Sequence, residues 1–583
     1  MIRKLLFFIF VSVSLQGVQV WADSYEYSRI FDVTFKVMIQ KDLYKALNES
    51  ISVQKSNLTQ SQIVYLLQKN PQYMPLLEEA LQKLTELQTQ TPEAYTEYFA
   101  KVKSRLKEEV QAPSFTEQLQ KHANPGEPVV LSLEKEAPGY KALKLYINHP
   151  HLKNATDPNS KVLPGDDLRQ LVLDFIKGSE QELWYNVFDF DLKVIAEALK
   201  EQHRSKKVKI LGGIDAGTIS TRPEVKAIFD DLTAFENDNF KTVAVRSVGL
   251  NHQKIIVRDP FGPKAAVLFL SGNFTQSCIG PEGDLAKVPA AERPEISIPN
   301  ANHALLVMGA LPAQITRSEL KKTLEFKIRG QSQYPVSGSY KVFGAKKSPK
   351  EEAPFIIISF SPNGGEGDVN KSIFVPLIEK SHGPIEAVHF AFSSKAIQDA
   401  LVKKAETESK ESGHFQFKSV GDTPFAMREW SVFLNLSGLK KDLTSNKYSS
   451  DAEAPILKAV GDQGLQDLQK NIHVAPAVYG DRSVRLADGT AAKVTSKIHH
   501  KVFIFPEDET AVLGTSFNPS ENAENNNEQI IIVKDSAIVS EARGLFAYLY
   551  KNGAGSVLEE ANKRNLRAVP VNEEPASPSE RDE

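Results

Sequence analysis

The sequence predicts an α/β protein in which two similar lobes follow an N-terminal helical region. Two observations lead to this fold class. Strand-like and helix-like segments alternate from about Lys141 onward, a pattern typical of mixed sheets flanked by helices. The same order of segments returns in the second half of the chain, which indicates an internal duplication.

The first lobe is predicted to span residues 140–328. It opens with an alternating strand at residues 143–147, followed by an amphipathic helix that Asp166 or Asp167 can cap. The next segments are a strand at residues 182–188, a helix at residues 192–200 and a strand at residues 208–211.

The second lobe is predicted to span residues 355–566 and to repeat this design. The apolar run at residues 355–362 matches the opening strand, and residues 385–392 match the strand at residues 182–188. Three apolar residues of the following helix then match three of the first lobe, namely Ile397, Ala400 and Leu401 with Ile195, Ala198 and Leu199. Residues 329–354, rich in Gly, Ser, Lys and Pro, are predicted to link the lobes.

Both ends of the chain are predicted to lie outside the lobes. Residues 1–22 combine a basic start, an apolar run shorter than the ~20 residues of a membrane span, and small residues suited to cleavage, so they are predicted to be a signal peptide. This predicts an exported, periplasmic or secreted, bacterial protein. Residues 23–125 show apolar residues at helical spacing and are predicted to be a helical accessory region. The acidic, proline-rich residues 567–583 are predicted to be a disordered tail.

Composition narrows the class of protein. With 583 residues, of which 41% are hydrophobic, the chain can bury large cores, and its net charge of −3 is not that of a dedicated nucleic-acid-binding domain. Cys278 is the single cysteine, so no internal disulfide can form, and we expect it to be a small packing residue. No His, Cys and Asp cluster has metal-ligand spacing, so no metal or other cofactor is predicted.

Two short motifs occur once in each lobe. One is His-x-Lys, at His252 and Lys254 and again at His499 and Lys501. The other is Ser-x-Asn, and its copies are Ser271 with Asn273 and Ser516 with Asn518. Residues two apart on a strand point to the same face. Each lobe therefore offers one His, one Lys, one Ser and one Asn to a common surface.

These residue types suit the cleavage of a phosphodiester without a metal ion. One imidazole can attack phosphorus while a second protonates the leaving oxygen. Lysine, amide and hydroxyl donors can hold the anionic oxygens of the pentacoordinate intermediate. Such a set of groups would make the chain an enzyme, a phosphoric diester hydrolase, which is also what the family resemblance described next implies.

The paired motifs resemble those of the phospholipase D superfamily, whose signature is HxKxxxxD followed by Ser-x-Asn. The first copy is complete, with Asp259 in the last position. The resemblance implies two fused lobes related by a pseudo-twofold axis, facing one another across one site, and a phosphohistidine intermediate. By analogy with the family, His252 is assigned as the nucleophile and His499 as the general acid and base, with the reverse assignment left open. Lys254, Lys501, Asn273 and Asn518 would then bind phosphate oxygens, assisted by Ser271 and Ser516.

The second copy departs from the family pattern. Pro506 stands where the motif has Asp, with Glu507 and Asp508 just beyond. Family members often carry a Glu after the Asn that orients a histidine, and Glu528 fits this place in the second lobe, whereas the first lobe offers Asn302 and His303. His500 is expected to face away from the site and to be packed or solvated.

Several substrates remain consistent with these motifs. The favoured prediction is an exported phospholipase D that hydrolyses phospholipids to phosphatidate and a head-group alcohol. We expect it to contact the membrane peripherally and to be a monomer. The alternatives are a nuclease, with nucleic acid the less favoured substrate, a phosphatidyl transferase of the cardiolipin synthase type, and a non-catalytic binding protein. An insertion at residues 415–454 is expected at the substrate rim, where Trp430 and Phe433 suit either a lipid surface or the core.

Overall fold

The structure is a computed structural model, and it describes residues 100–101, 129–131, 139–148, 166–247, 249–280, 300–325, 337–346, 352–362, 369–411, 415–477, 479–485 and 491–566. The chain divides into two compact units, Met1–Glu127 and Pro128–Glu583. In the first unit only residues 100–101 are described, and they are helical. The predicted signal peptide, nearly all of the predicted accessory region and the predicted tail therefore lie outside the described residues.

The second unit contains two mixed sheets with helices packed against them, as the sequence predicts. The strands are β1 (Val129–Leu131), β2 (Ala142–Ile147), β3 (Glu182–Val187), β4 (Lys209–Asp215), β5 (Phe240–Val245), β6 (Lys254–Arg258), β7 (Ala266–Leu270), β8 (His303–Met308), β9 (Ser339–Phe343), β10 (Phe355–Ser361), β11 (Ile385–His389), β12 (Phe417–Gly421), β13 (Leu439–Asp442), β14 (Lys447–Ser450), β15 (Ile472–Val474), β16 (Gly480–Arg485), β17 (Ala491–Ser496), β18 (Lys501–Phe505), β19 (Thr510–Leu513) and β20 (Glu528–Lys534).

The α-helices lie between these strands and after the last one. They are α1 (Leu168–Lys177), α2 (Lys193–Lys206), α3 (Ala216–Thr221), α4 (Pro223–Ala234), α5 (Gln276–Ile279), α6 (Ala310–Glu325), α7 (Val375–Lys380), α8 (Lys395–Glu411), α9 (Thr423–Ala426), α10 (Val432–Leu436), α11 (Pro455–Asn471), α12 (Ser536–Lys551) and α13 (Val557–Leu566). Asp167 caps α1 by accepting the backbone N–H of Gln170, which settles the choice between Asp166 and Asp167.

The duplication is visible in the strand order of the two sheets. The first sheet runs β2-β8-β7-β6-β3-β4-β5, and the second contains the series β10-β20-β19-β18-β11-β12-β15. Corresponding neighbours pair in the same sense: β3, β4 and β5 are parallel, as are β11, β12 and β15, and the other corresponding pairs are antiparallel. The two lobes therefore share a seven-strand plan.

The second sheet extends into the stretches that are predicted from the sequence to be a linker and an insertion. Strand β9 lies inside the predicted linker of residues 329–354 and pairs with β10 and with β1. Strand β12 lies at the start of the predicted insertion of residues 415–454 and corresponds to β4 of the first lobe. Both strands are short and bounded by glycine or polar residues, so periodicity alone does not reveal them.

Two large apolar cores sit between the sheets and their helices, one for each lobe. Cys278 belongs to the core of the first lobe and is 3% exposed, consistent with a packing residue. Phe433 belongs to the core of the second lobe, whereas Trp430 is half-buried and packs outside that core. Among the described residues, no helix has the length and apolar character needed to cross a membrane.

Candidate active site

Each His-x-Lys pair lies at the start of a central strand. Lys254 begins β6 opposite Val187, and Lys501 begins β18 opposite His389. Each histidine stands two residues before its lysine, at the end of the sheet where β3 and β11 finish. The shared strand plan thus places the two pairs at corresponding points of the two lobes.

The lobes meet beside these histidines. Asn251 forms an isolated bridge with Asn527, and Ala301 forms one with Ile498. The backbone N–H of His499 donates to the carbonyl of Ala301 over 2.8 Å. Backbone pairing between lobes therefore fixes both histidines at one interface, and the two motif copies form a single site.

Glu528 holds the histidine of the other lobe. Both of its carboxylate oxygens lie 2.9 Å from Nδ1 of His252, and neither side chain is more than 1% exposed. A carboxylate accepts only, so the Nδ1 of His252 carries the proton and donates it to Glu528. In a neutral imidazole this leaves Nε2 with a free lone pair.

Asn302 takes the corresponding place in the first lobe. Its Oδ1 lies 2.9 Å from Nδ1 of His499. The two positions are equivalent, because the N–H of Ser271 donates to the carbonyl of His303 and the N–H of Ser516 to that of Gln529, the residues that follow Asn302 and Glu528. The lobes thus exchange orienting groups, one a carboxylate and the other a neutral amide.

The lysines lie within the same buried cluster. Nζ of Lys254 donates to the carbonyl of His252 over 2.7 Å, and Nζ of Lys501 lies 3.1 Å from Nε2 of His499. Because Asn302 takes the Nδ1–H of His499, Nε2 is the acceptor of the Lys501 ammonium.

A phenylalanine packs on each histidine. The ring centroid of Phe188 is 5.1 Å from that of His252, and the centroid of Phe390 is 4.9 Å from that of His499. Each lysine ammonium also lies 5.4 Å from the ring of the same phenylalanine. Each lobe thus packs one aromatic ring against its histidine and its lysine.

The electrostatics of the site favour neutral imidazoles. Burial lowers the pKa of His252 to about 4, with Glu528 opposing the shift and the two lysines adding to it. Burial likewise lowers the pKa of His499 well below its ordinary value, as do Lys501 and Lys254. Burial, together with Lys254, lowers the pKa of the Lys501 ammonium. A bound phosphodiester would bring a negative charge that relieves this repulsion.

The serines and the asparagines of the two Ser-x-Asn motifs make different contacts. The Ser271 hydroxyl donates to Oδ1 of Asn302 over 3.0 Å, and the Ser516 hydroxyl accepts the N–H of Gln529 over 2.8 Å, so both serines fix the turn that carries the orienting group. Asn273 is 8% exposed and Asn518 is 1% exposed. The side-chain oxygen of Asn273 has no hydrogen-bond partner among the described residues.

Asp259 lies away from this cluster, at the other end of β6. Its carboxylate accepts the backbone N–H groups of Glu180, Gln181 and Glu182 at 2.7–3.1 Å and thereby fixes the turn into β3. We therefore assign Asp259 a structural role, although the sequence groups it with the catalytic residues.

Asp508 makes the corresponding contact in the second lobe. Its carboxylate accepts the N–H of His382 over 3.0 Å and lies 2.8 Å from Nδ1 of His382, in the turn before β11. Pro506 begins a short 3-10 turn that carries this carboxylate two residues beyond its expected position. The missing Asp of the second motif is therefore replaced in function by Asp508.

Two further aspartates support the histidines and were missed from the sequence. Oδ2 of Asp215 accepts the N–H of Asn251 over 3.0 Å, and Oδ2 of Asp422 accepts the N–H of Ile498 over 3.0 Å. Each N–H belongs to the residue before a histidine. Burial raises the pKa of Asp215, and the backbone donors oppose that shift. A signal was present, since Asp215 is the last residue of β4 and Asp422 directly follows β12, the corresponding strand of the repeat.

His500 is fully buried behind the site rather than solvated. Its Nδ1 lies 3.2 Å from Nδ1 of His303, and the two rings stack with centroids 5.4 Å apart. In the part of the chain that the structure describes, no group of three or more His, Cys, Asp or Glu residues could hold a metal ion.

No family model matches the chain, and no curated protein matches it in sequence. Phosphatidylserine synthase of Haemophilus influenzae Rd KW20 is similar with a TM-score of 0.42 and 10% identity, over 67% of this chain and 85% of that one. Nuc of Salmonella typhimurium, described as a phospholipase D family member, is similar with a TM-score of 0.22 and 15% identity, over 31% and 93%. NucT of Helicobacter pylori is similar with a TM-score of 0.23 and 15% identity, over 32% and 96%.

Because these values are low, the similarities carry no argument about this chain's activity. What supports a function is the geometry of its own residues.

Proposed function

We propose that this chain is a metal-independent phosphodiesterase of the phospholipase D type, which hydrolyses phospholipids through a phosphohistidine at His252. The observation that carries the proposal is the contact of the Glu528 carboxylate with Nδ1 of His252. It explains how one imidazole of a symmetric pair becomes the nucleophile.

In the first step, Nε2 of His252 attacks phosphorus and the bond to the head-group oxygen breaks. The imidazole ring gains positive charge as the N–P bond forms, and the adjacent Glu528 carboxylate stabilises that charge. The low pKa of His252 keeps its Nε2 unprotonated at neutral pH and therefore available for attack.

His499 suits the acid and base role because its partner is neutral. The negative charge of a bound phosphodiester offsets the two lysines and lets His499 take up a proton at Nε2. The amide of Asn302 orients the ring without stabilising the imidazolium, so His499 then gives this proton readily to the departing alcohol. The neutral His499 then takes a proton from water, which attacks phosphorus and releases phosphatidate and free His252. Lys254, Lys501, Asn273 and Asn518 are the donors we propose for the phosphate oxygens.

Two arguments from the sequence favour a phospholipid substrate over the alternatives. The chain is expected to be exported, and its net charge of −3 is not the positive charge expected of a nucleic-acid-binding domain. A nuclease, a phosphatidyl transferase and a binding protein share the same fold and motifs. They differ in what enters the site and in which acceptor attacks the intermediate, so substrate tests distinguish them.

The test is hydrolysis by the purified chain in excess EDTA. We expect release of ethanolamine or choline from phospholipid vesicles, and a loss of about a thousandfold or more in His252→Ala and His499→Ala, as removal of an essential nucleophile or acid produces. His203→Ala, which removes a histidine in the last turn of α2, away from the site, is the matched control and should retain full activity. Cleavage of single- or double-stranded DNA without lipid turnover would contradict the lipid assignment. A folded chain inactive on both substrates would contradict the enzyme itself.

A further inference from the structure

Two stacked imidazoles lie directly behind the contact between Asn302 and His499. His303 directly follows Asn302 in the first lobe. His500 directly follows His499 in the second lobe, and both imidazoles are fully buried. Their Nδ1 atoms lie 3.2 Å apart, and their rings are inclined by 20° with centroids 5.4 Å apart. Because neighbouring residues of an extended chain point to opposite sides, these two rings, which we call the imidazole pair, join the lobes behind the site.

The contact within the imidazole pair is a hydrogen bond between neutral groups. A bond between two Nδ1 atoms requires that one of them carry a proton and that the other accept it. Burial lowers the pKa of His303 to about 3, and Lys501 adds to that shift. His303 is therefore neutral at the pH of the reaction, so the two rings attract one another and do not meet as two cations.

The backbone of both histidines is tied to groups that surround the proposed general acid. The N–H of His303 donates to the hydroxyl of Ser271 over 2.9 Å, and that hydroxyl donates to Oδ1 of Asn302. The carbonyl of His500 accepts the N–H of Phe390 over 2.8 Å, and the ring of Phe390 packs on the general acid. The imidazole pair therefore connects, across the lobe boundary, the two chain segments that hold this acid.

Glutamines take the equivalent places beside the proposed nucleophile. Gln529 corresponds to His303, because the N–H of each donates to the serine hydroxyl of the motif in its own lobe. Gln253 corresponds to His500, because the carbonyl of each accepts the N–H of the phenylalanine that packs on the preceding histidine. The two halves of the site thus share one backbone plan and differ in these side chains.

The glutamines join the lobes in a different way from the imidazoles. Nε2 of Gln529 donates to the carbonyl of Lys254 over 3.4 Å. Nε2 of Gln253 lies 3.5 Å from the carbonyl of Glu528. Each glutamine thus reaches backbone of the other lobe, whereas the imidazoles bond to one another. The connection behind the general acid therefore depends on one bond between two side chains.

We propose that the imidazole pair is a positioning element for the general acid and base, and that it acts on His499 without acting on His252. The inference rests on the proposed function and goes beyond it, because neither His303 nor His500 takes part in the proposed chemical steps. Without the bond between the rings, the segments that carry Asn302 and His499 lose their connection, so proton transfer should slow. The attack on phosphorus should keep its rate.

Two lipids that differ only in the leaving group separate these effects. The alcohol that departs from phosphatidylcholine needs a proton, whereas phosphatidyl-p-nitrophenol with the same acyl chains releases a phenolate that is stable without one. His500→Phe keeps a stacked ring but removes the hydrogen bond. We expect kcat/KM for phosphatidylcholine to fall about tenfold in this variant, and kcat/KM for the p-nitrophenyl ester to change by less than about twofold.

Three further variants complete the test. His303→Gln combined with His500→Gln copies the glutamines beside the nucleophile and should restore most of the loss. Gln253→Leu disturbs the nucleophile instead and should lower kcat/KM for both lipids by the same factor. His473→Phe is the matched control, because His473 stacks on Tyr550 with centroids 4.2 Å apart but lies on β15 at the edge of the second sheet, and it should change neither value.

The outcomes separate this inference from the proposed function. An equal loss on both lipids in His500→Phe, or no loss on either, would overturn the positioning role while phospholipid turnover by the wild-type chain upheld the function. A double glutamine variant that folds but recovers nothing would also overturn it, because the imidazoles would then act through their own proton chemistry. Failure of the wild-type chain to turn over either lipid would overturn the proposed function, on which the inference rests.

Discussion

Glu528 and Asn302 differ by one charge, and in the mechanism that we propose this difference assigns different roles to two otherwise similar histidines. Each side chain is buried and bonded to the Nδ1 of the histidine in the other lobe. A carboxylate stabilises an imidazole that becomes positive when it binds phosphorus. A neutral amide keeps an imidazole in place while leaving it a strong acid once protonated.

Replacing Glu528 with Gln should therefore slow the attack on phosphorus while keeping a hydrogen-bond acceptor beside His252. We expect a fall of about ten- to a hundredfold in kcat, the difference between a charge-assisted and a neutral hydrogen bond. The fall should persist with a p-nitrophenyl ester, whose leaving group needs no proton. Glu521→Gln, which changes an exposed carboxylate in the same loop, serves as the control. A change of less than about twofold in Glu528→Gln would refute the role of this carboxylate.

The site residues differ in how far the sequence could predict them. The His, Lys, Ser and Asn of each motif are local patterns, because the two-residue period of a strand fixes which side chains share a face. The partners of the histidines are not local: 276 residues separate Glu528 from His252, and 197 separate Asn302 from His499. The exchange of these groups between lobes depends on how the lobes pack, which no local pattern encodes.

At the scale of the element, the turns that leave β4 and β12 do two things at once. Asp215 caps α3 through the N–H of Thr218 and also holds the N–H of Asn251. Asp422 stands at the corresponding start of α9 and holds the N–H of Ile498. One carboxylate in each lobe thus couples a strand end to the backbone just before a catalytic histidine.

We expect Asp422→Ala to lower kcat by about tenfold with little change in KM, because the backbone before His499 loses its anchor. Asp422→Asn, which retains an acceptor oxygen, should recover most of this loss. Asp535→Ala is a suitable comparison, since Asp535 caps α12 through the N–H groups of Ala537 and Ile538 but contacts no part of the site. It should cost about 1 kcal/mol of stability and leave kcat unaltered. Equal effects on kcat in both alanine variants would mean that Asp422 acts only through stability.

In the second lobe the Asp of the motif is missing, yet the contact that this Asp would make is present. The family pattern expects Asp where Pro506 stands, yet Asp508 reaches the turn before β11 from a short 3-10 turn. The motif describes positions along the chain, whereas the contact depends on where the carboxylate lies in space. The strands β9 and β12 were not predicted from the sequence, because pairing with neighbouring strands stabilises them and the apolar periodicity of their own residues does not reveal them.

At the scale of the whole molecule, a duplicated seven-strand plan has produced one site with two unlike halves. The strand order is the same in both lobes, whereas the groups that orient the two histidines differ. The repeat was predictable because apolar segments recur in the same order. The exchange of orienting groups between the lobes was not predictable, because it arises only where the lobes meet.

The most direct test of this account is to trap the covalent intermediate in His499→Ala. With bis(p-nitrophenyl) phosphate the first step needs no general acid, while the second lacks its base. We predict a burst of one p-nitrophenol per chain followed by slow turnover, with the phosphoryl group mapped to His252 after rapid quenching. No adduct in His499→Ala, or a burst in His252→Ala with the phosphoryl group on His499, would contradict the assignment of the nucleophile.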